Sequence, residues 1–341
     1  MISEIITGIL NSISTVLNVT WWFVVPVILF FILWDLRYLA LRLRHIEGIQ
    51  WVTLEVRIPR EILKTPKAME QIFAELYATY SSGMKFIPKY MEGRVEPWFS
   101  FEMVGGGGGV RFFIHAPSRL KNLIESALYA QYPDAEINEV VDYTQELPSL
   151  LPNATYDVSG VGLTLAKDSY YPIRTYEYFE DSIDERRLDP MGPLIEVMAN
   201  LKTEERLWIQ VLISPTGAAA GNDWQGEGQK KVEEIAGRKG KSESKENQFF
   251  LFIENLVKAP FQPPDWGGNK EENADAPRFL HSGEQDIIKA INNKIARQGV
   301  ETLVRIIYID RRDSFSPANF AATLAWFQQF NIQNMNAFKP I

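Results

Sequence analysis

The sequence predicts an α+β protein: a single N-terminal transmembrane helix followed by two split-βαβ α/β sandwich domains. Three observations predict it. No residue from Ile5 to Trp34 is charged. Beyond that run the hydrophobic period becomes two residues, as in a strand, and then 3.6, as in a helix. The order strand, helix, strand, strand, helix, strand can then be read once clearly and a second time more loosely.

The apolar run comes first. Trp21–Trp34 (WWFVVPVILFFILW) is almost continuously apolar, and Ile13 to Trp34 supplies the roughly 20 residues a bilayer core requires. Trp21, Trp22 and Trp34 fall near the two ends, where indole rings favour the headgroup level. Pro26 is tolerated inside a membrane helix and is expected to bend it. A cleaved signal peptide would carry a basic leading region and a small-residue cleavage site, and the sequence shows neither. Arg37, Arg42 and Arg44 follow the run, while only Glu4 and the amino terminus precede it. The positive-inside rule then places the N-terminus outside and the remaining domains in the cytoplasm, as expected of a single-pass, membrane-tethered protein. The lipid bilayer is the first expected partner.

After this segment (1–46), Val52, Leu54, Val56 and Ile58 alternate with polar residues, predicting a half-buried strand. Thr65-Pro66 reads as a helix start, and Met69, Ile72, Phe73, Leu76, Tyr77 and Tyr80 form one helical face. Strands are expected at 98–104 and 110–115, joined by Gly105–Gly109 as a loose hairpin loop. A helix capped by Ser118 carries Leu120, Leu123, Ile124, Ala127 and Leu128, and a strand at 135–140 closes the first domain, 47–145. The order is ferredoxin-like.

The second domain, 146–341, is expected to repeat the pattern. Strand-like segments lie near Val161–Ala166 and Tyr171–Tyr176, and Asp189-Pro190 opens a helix through Leu201. LWIQVLI (207–213) is strongly β. An insertion at about 214–280 follows, turn-rich and polar at both ends and hence expected to be mobile. Within it, FFLFIENLVKAPF (249–261) is apolar enough for a helix lying on a membrane or a partner. Ser282 with Gln285 suggests a capping box for the next helix. TLVRIIYI (302–309), apolar on both faces, predicts a central strand, and Ser316-Pro317 opens the last helix.

Composition removes several function classes. The chain has 341 residues and a net charge of −8, which disfavours direct binding of nucleic acid. There is no cysteine, so thiolate chemistry and disulfides are absent, and the three histidines share no metal-ligand spacing. Catalytic, metal-binding and cofactor residues are accordingly expected to be none. The acidic groups Glu180, Asp181, Asp184 and Glu185, and Glu271 with Glu272, are interleaved with Arg186, Arg187 and Lys270 and read as solvated faces. IAGRKGKS (235–242) ends like a phosphate-binding loop, but Ile235 stands where the first glycine is required. No apolar strand precedes it and no apolar helix follows.

Several strings taken together resemble one family: EVRIPREILKTPKAMEQIFAEL (55–76), WFSFEMV with VRFFIHAP (98–117), IESALYAQYPDAEI (124–137) and RIIYIDRRDSFSPANFAATLAWFQQFNIQNMNAFKP (305–340). It is the membrane-anchored N-terminal region of Patescibacteria (candidate phyla radiation) proteins. In some members this region precedes a HerA/FtsK-like ATPase related to type IV secretion coupling proteins. The resemblance implies an anchor and assembly region. Motor-bearing members continue beyond Phe338-Lys339-Pro340, and no position here matches a Walker motif, so the motor is expected to be absent.

The resulting expectation is a non-enzymatic, homo-oligomeric scaffold with a cytoplasmic collar in a secretion or DNA/protein translocation complex. A binding module or adaptor that recruits a separate HerA/FtsK-like ATPase, a protein or DNA remains the alternative, as in a split motor. An enzyme with an unrecognised site stands behind both.

Overall fold

The computed structural model describes residues 2–59, 65–80, 86–107, 109–179, 189–217, 222–237 and 280–341. The 249–261 segment, the acidic groups at 180–185 and 271–272, and the end of IAGRKGKS lie outside them.

Helix α1 (Ile2–Glu47) is continuous through Pro26. Strand β1 (Trp51–Arg57), helix α2 (Lys67–Tyr77), strands β2 (Phe99–Gly106) and β3 (Gly109–Pro117), helix α3 (Lys121–Gln131) and strand β4 (Glu136–Val140) follow in the expected order. Strand β5 (Tyr156–Leu165), helix α4 (Gly192–Ala199), strand β6 (Arg206–Thr216), helices α5 (Trp224–Ile235) and α6 (Ser282–Ile295), strand β7 (Gly299–Arg311), helix α7 (Ala318–Phe327) and strand β8 (Phe338–Pro340) complete the chain.

All eight strands join one antiparallel sheet, in the order β4-β1-β3-β2-β6-β7-β5-β8. The sheet therefore runs unbroken across residue 145, where the sequence suggests a boundary. Its seam is the β2–β6 pair, from Phe99↔Ile213 to Gly106↔Arg206. Numbered within its own half, each set of four strands reads 4-1-3-2 from its outer edge to the seam.

Strand alternation divides the core into layers. On one face Val52, Leu54, Phe99 and Ile114 pack under Ile72 and Leu76 of α2 and Ile124, Ala127 and Leu128 of α3. On the same face of the second half Leu207, Ile209, Val304, Ile306 and Tyr308 pack under Leu194 and Met198 of α4 and Phe327 of α7. The opposite face buries Val104, Phe113, Trp208 and Ile309 beneath Tyr143 and Leu147 of the β4–β5 connection. Polar contacts reinforce the seam. Arg297 pairs with Glu70 of α2 at 2.6 Å and with Glu177 at 2.9 Å, and Tyr77 Oη donates to the Thr216 carbonyl at 3.1 Å.

Several local expectations change. The glycine run is only partly a loop: the ladder continues to Gly106↔Gly109. A Cβ on Gly105 would lie 2.9 Å from Met198 Cβ, and one on Gly107 would lie 2.6 Å from Thr203 Cα, so these positions let the second half approach closely. Tyr171–Tyr176 is not a strand. Asn336 Nδ2 donates to the carbonyls of Lys167, Asp168 and Tyr171, which ties this segment to the turn before β8. The start of α6 falls one residue early, with the Glu284 carboxylate accepting from the His281 backbone N–H. Ile235 ends α5, and Gly237, at φ +71°, is the left-handed residue that closes the helix. That is the structural meaning of the glycine nearest to the phosphate-loop spacing.

Candidate membrane anchor and juxtamembrane clefts

Helix α1 combines length with an uncovered apolar surface. Its 46 residues extend about 70 Å at 1.5 Å per residue. Within Thr20–Glu47 the most apolar 18-residue window has a mean hydropathy of 2.0, and none of that window is buried. Trp21 and Trp22 are 60% and 67% exposed, Phe30 and Phe31 about as much, and Pro26 is exposed as well. In water such a surface costs roughly 25 cal/mol for each Å² left uncovered. Among the described residues this is the one helix long and apolar enough to cross a membrane. Trp34 is half-buried, and Arg37, Arg42 and Arg44 are exposed on the turns that follow.

Those turns are not a free linker. Tyr38 meets Tyr90 with ring centroids 5.2 Å apart, and the Arg42 guanidinium lies 5.6 Å from the Tyr38 ring centroid. Tyr90 belongs to a short π-helical turn, Ile87–Met91. Just after it, Gly93 adopts φ +67°, and a Cβ there would sit 2.4 Å from the Leu41 carbonyl carbon. Only glycine allows both this conformation and this approach. The helix thus reaches past its apolar part by roughly 20 Å and locks onto the sheet-bearing body.

Two clefts flank this stalk. One, of about 730 Å³, lies between α1 and the ends of β6 and β7 and is lined by Arg42, Lys89, Arg94 and Arg305, with Glu96 and Glu301 opposed. The other, of about 840 Å³, is lined by Arg44, His45, Arg94 and Arg119, with Glu96 shared. In a chain of net charge −8, cations are therefore concentrated where the helix leaves the body. Arg37, Arg42 and Arg44 stand out in the sequence; Lys89, Arg94, Arg119 and Arg305 do not, because topology alone brings them beside the helix. Arg37 lines neither cleft.

Two other arrangements carry chemistry. On the sheet face away from α2 and α3, the Glu102 carboxylate accepts from Ser100 Oγ at 2.6 Å, and Gln210 Nε2 donates to Tyr143 Oη at 2.9 Å. Burial pushes the Glu102 carboxyl above its ordinary range, against the lowering effect of its hydrogen bonds, and burial also raises the Tyr143 phenol. His115 shares a 2.9 Å contact with Thr53 Oγ1 and stacks on Trp51. In the second half, burial lowers Lys294 to about 8, and its ammonium donates to the Tyr171 carbonyl at 3.0 Å. On the helix-bearing face, an apolar groove of about 620 Å³ follows the seam between Phe101, Met103, Val211 and Trp326.

A family described as a domain of unknown function (DUF8128) matches residues 39–336. The chain belongs to this family. The DUF8128 match begins within the stalk and extends to the turn before β8, so it includes β1 to β7 and the charged residues of both clefts. No curated protein and no solved structure matches the chain.

Proposed function

We propose that the chain is a membrane-tethered, non-enzymatic scaffold. Helix α1 crosses the bilayer once, the N-terminus lies outside, and the sheet-bearing body stands on the cytoplasmic side as two fused ferredoxin-like units. The observation that carries this reading is the unburied apolar surface of α1 beyond Thr20, continuous with a stalk docked onto the body at Gly93. Two repeats of the 4-1-3-2 strand order within one sheet support the reading of two split-βαβ units. The cations at the stalk exit support a cytoplasmic body through the positive-inside rule. Assembly into a homo-oligomeric collar within a secretion or translocation complex, with an ATPase acting in trans, rests on the resemblance described above.

The absence of cysteine makes the test direct. Single cysteines at Glu4 and at Asp313 are labelled in intact cells with a membrane-impermeant maleimide. The position-4 cysteine should react and the position-313 cysteine only after lysis, with the full-length chain resisting carbonate extraction. A soluble product lacking its first 34 residues would mean a cleaved signal sequence and end the proposal. Mass photometry in nanodiscs reads the copy number, and a monomer would remove the collar.

A further inference from the structure

We infer that the Phe86–Arg94 segment is a second membrane contact, a foot beside α1 that binds the phosphate headgroups of anionic phospholipids. The inference rests on the membrane reading of α1 and adds a ligand class and a site to it.

The level of the foot follows from the Tyr38–Tyr90 contact. Tyr38 is four residues past Trp34, which is about 6 Å along a helix. The headgroup layer on each side of a bilayer is about 5–8 Å thick, the difference between core and total thickness. A π-helical turn held against Tyr38 therefore sits at the headgroup boundary when Trp34 marks the edge of the hydrocarbon. At that level the turn exposes Phe86 (58%), Ile87 (64%) and Met91 (40%). Large apolar side chains this exposed, on one short turn next to a membrane helix, suit shallow insertion between headgroups.

The charges fit the same plane. Lys89 is on the foot itself, and Arg42 and Arg305 face it across the first cleft. Among the described residues none of these three forms an ion pair with a carboxylate, whereas Arg94 is paired with Glu92 at 2.7 Å. With Arg94 matched by Glu92, counting Glu96 and Glu301 against the three remaining cations of this cleft leaves one positive charge in excess. The overall charge of −8 would push the body away from an anionic leaflet. A local cationic foot reverses that at the one place where the body meets the membrane. Basic residues near such a surface contribute on the order of 1 kcal/mol each, about five-fold in lipid enrichment.

The experiment uses the full-length chain reconstituted in vesicles, with one environment-sensitive dye at Ile87→Cys or, separately, at Leu29→Cys. The vesicles are phosphatidylcholine alone or mixed with phosphatidylglycerol, each with and without spin-labelled quencher lipids. The expected result is quenching and a blue shift at position 87, several-fold stronger with phosphatidylglycerol and unaffected by millimolar inorganic phosphate. Lys89→Glu with Arg305→Glu should lower this enhancement by at least five-fold, while position 29 stays quenched throughout. Equal signals in both lipid mixtures, or competition by free phosphate, would overturn the headgroup site. An unquenched position 87 beside a quenched position 29 overturns the foot and leaves the anchor standing. An unquenched position 29 removes the anchor itself.

Discussion

Strands β1–β4 and β5–β8 follow one lateral plan, yet each half is finished for a different task. Between β2 and β3 only two residues separate Gly106 from Gly109, whereas the corresponding β6 and β7 are separated by residues 217–298, whose described part forms α5 and α6. The outer edges differ too. β4 carries Glu136 and Glu139 on a mostly exposed strand, and β8 is three residues ending in Pro340. Both devices discourage pairing with another sheet edge, one by charge and one by shortness and a missing donor. The first half also carries the stalk's docking contacts at Tyr90 and Gly93, and the second adds the ends of β6 and β7 to the cleft beside it. The comparison teaches that the repeated strand order supplies a platform, and that loops and strand ends decide which half meets helix α1.

The severest test of this comparison asks whether the halves fold as one. Ile72 under the first half and Met198 under the second are both fully buried. Ile72→Ala and Met198→Ala should each cost about 2–5 kcal/mol. In detergent, both should lower a single denaturation transition, since β2 and β6 share a ladder. Two separable transitions, each sensitive to one variant, would show that the seam does not couple the halves.

Next in size is Gly93→Ala. A left-handed φ and a clash with the Leu41 backbone should weaken stalk docking by about 2–3 kcal/mol and leave the sheet intact. Spin labels at Glu47→Cys and Asp313→Cys should give a narrow distance distribution that broadens in the variant. An unchanged distribution would mean that the stalk is held by other contacts.

The buried titratable groups provide a contrast of sign. Lys294, in the second half, is lowered to about 8 from 10.5. Between those values the unfolded chain still holds a proton that the native chain has released. Stability should therefore rise with pH through this window, by about 2 kcal/mol after allowance for partial exposure. Lys294→Met should be more stable at pH 7 and lose that rise, while Asn336 still donates to the Tyr171 carbonyl. Glu102, in the first half, is raised, so the native state keeps its proton longer than the unfolded state. Stability should fall as pH climbs from the ordinary carboxylate range to the raised value. Glu102→Gln should remove that fall, with the smallest gain of the set, under about 1 kcal/mol at neutral pH. Chemical denaturation across pH would check both, and a slope of the opposite sign would rule out burial as the cause.

Much of this was legible in the residues themselves. The 52–58 alternation, the helical face from Met69 and the β-rich 302–309 run each locate a real element, because their periods are local properties. The long apolar helix was legible because thirty uncharged residues leave few alternatives. The seam was not, since nothing in Phe99–Gly106 distinguishes an edge strand from one paired to residues a hundred positions later. The same holds for Lys89 and Arg305, which are ordinary surface cations in sequence and become neighbours only through the fold. The glycine run misled in a small way. Its lack of side chains suggested freedom, while Gly105 and Gly107 make room for Met198 and Thr203.

On the proposed membrane reading, the docking at Gly93 has a mechanical consequence. A membrane helix whose apolar length exceeds the local bilayer thickness adjusts by tilting, and tilts of roughly 20° are ordinary. With a flexible linker, the tilt would be absorbed below the headgroups. Docked at Gly93, the stalk instead transmits such a tilt to the sheet-bearing body. On that reading, lipid composition becomes an input to the orientation of the surfaces that the body presents.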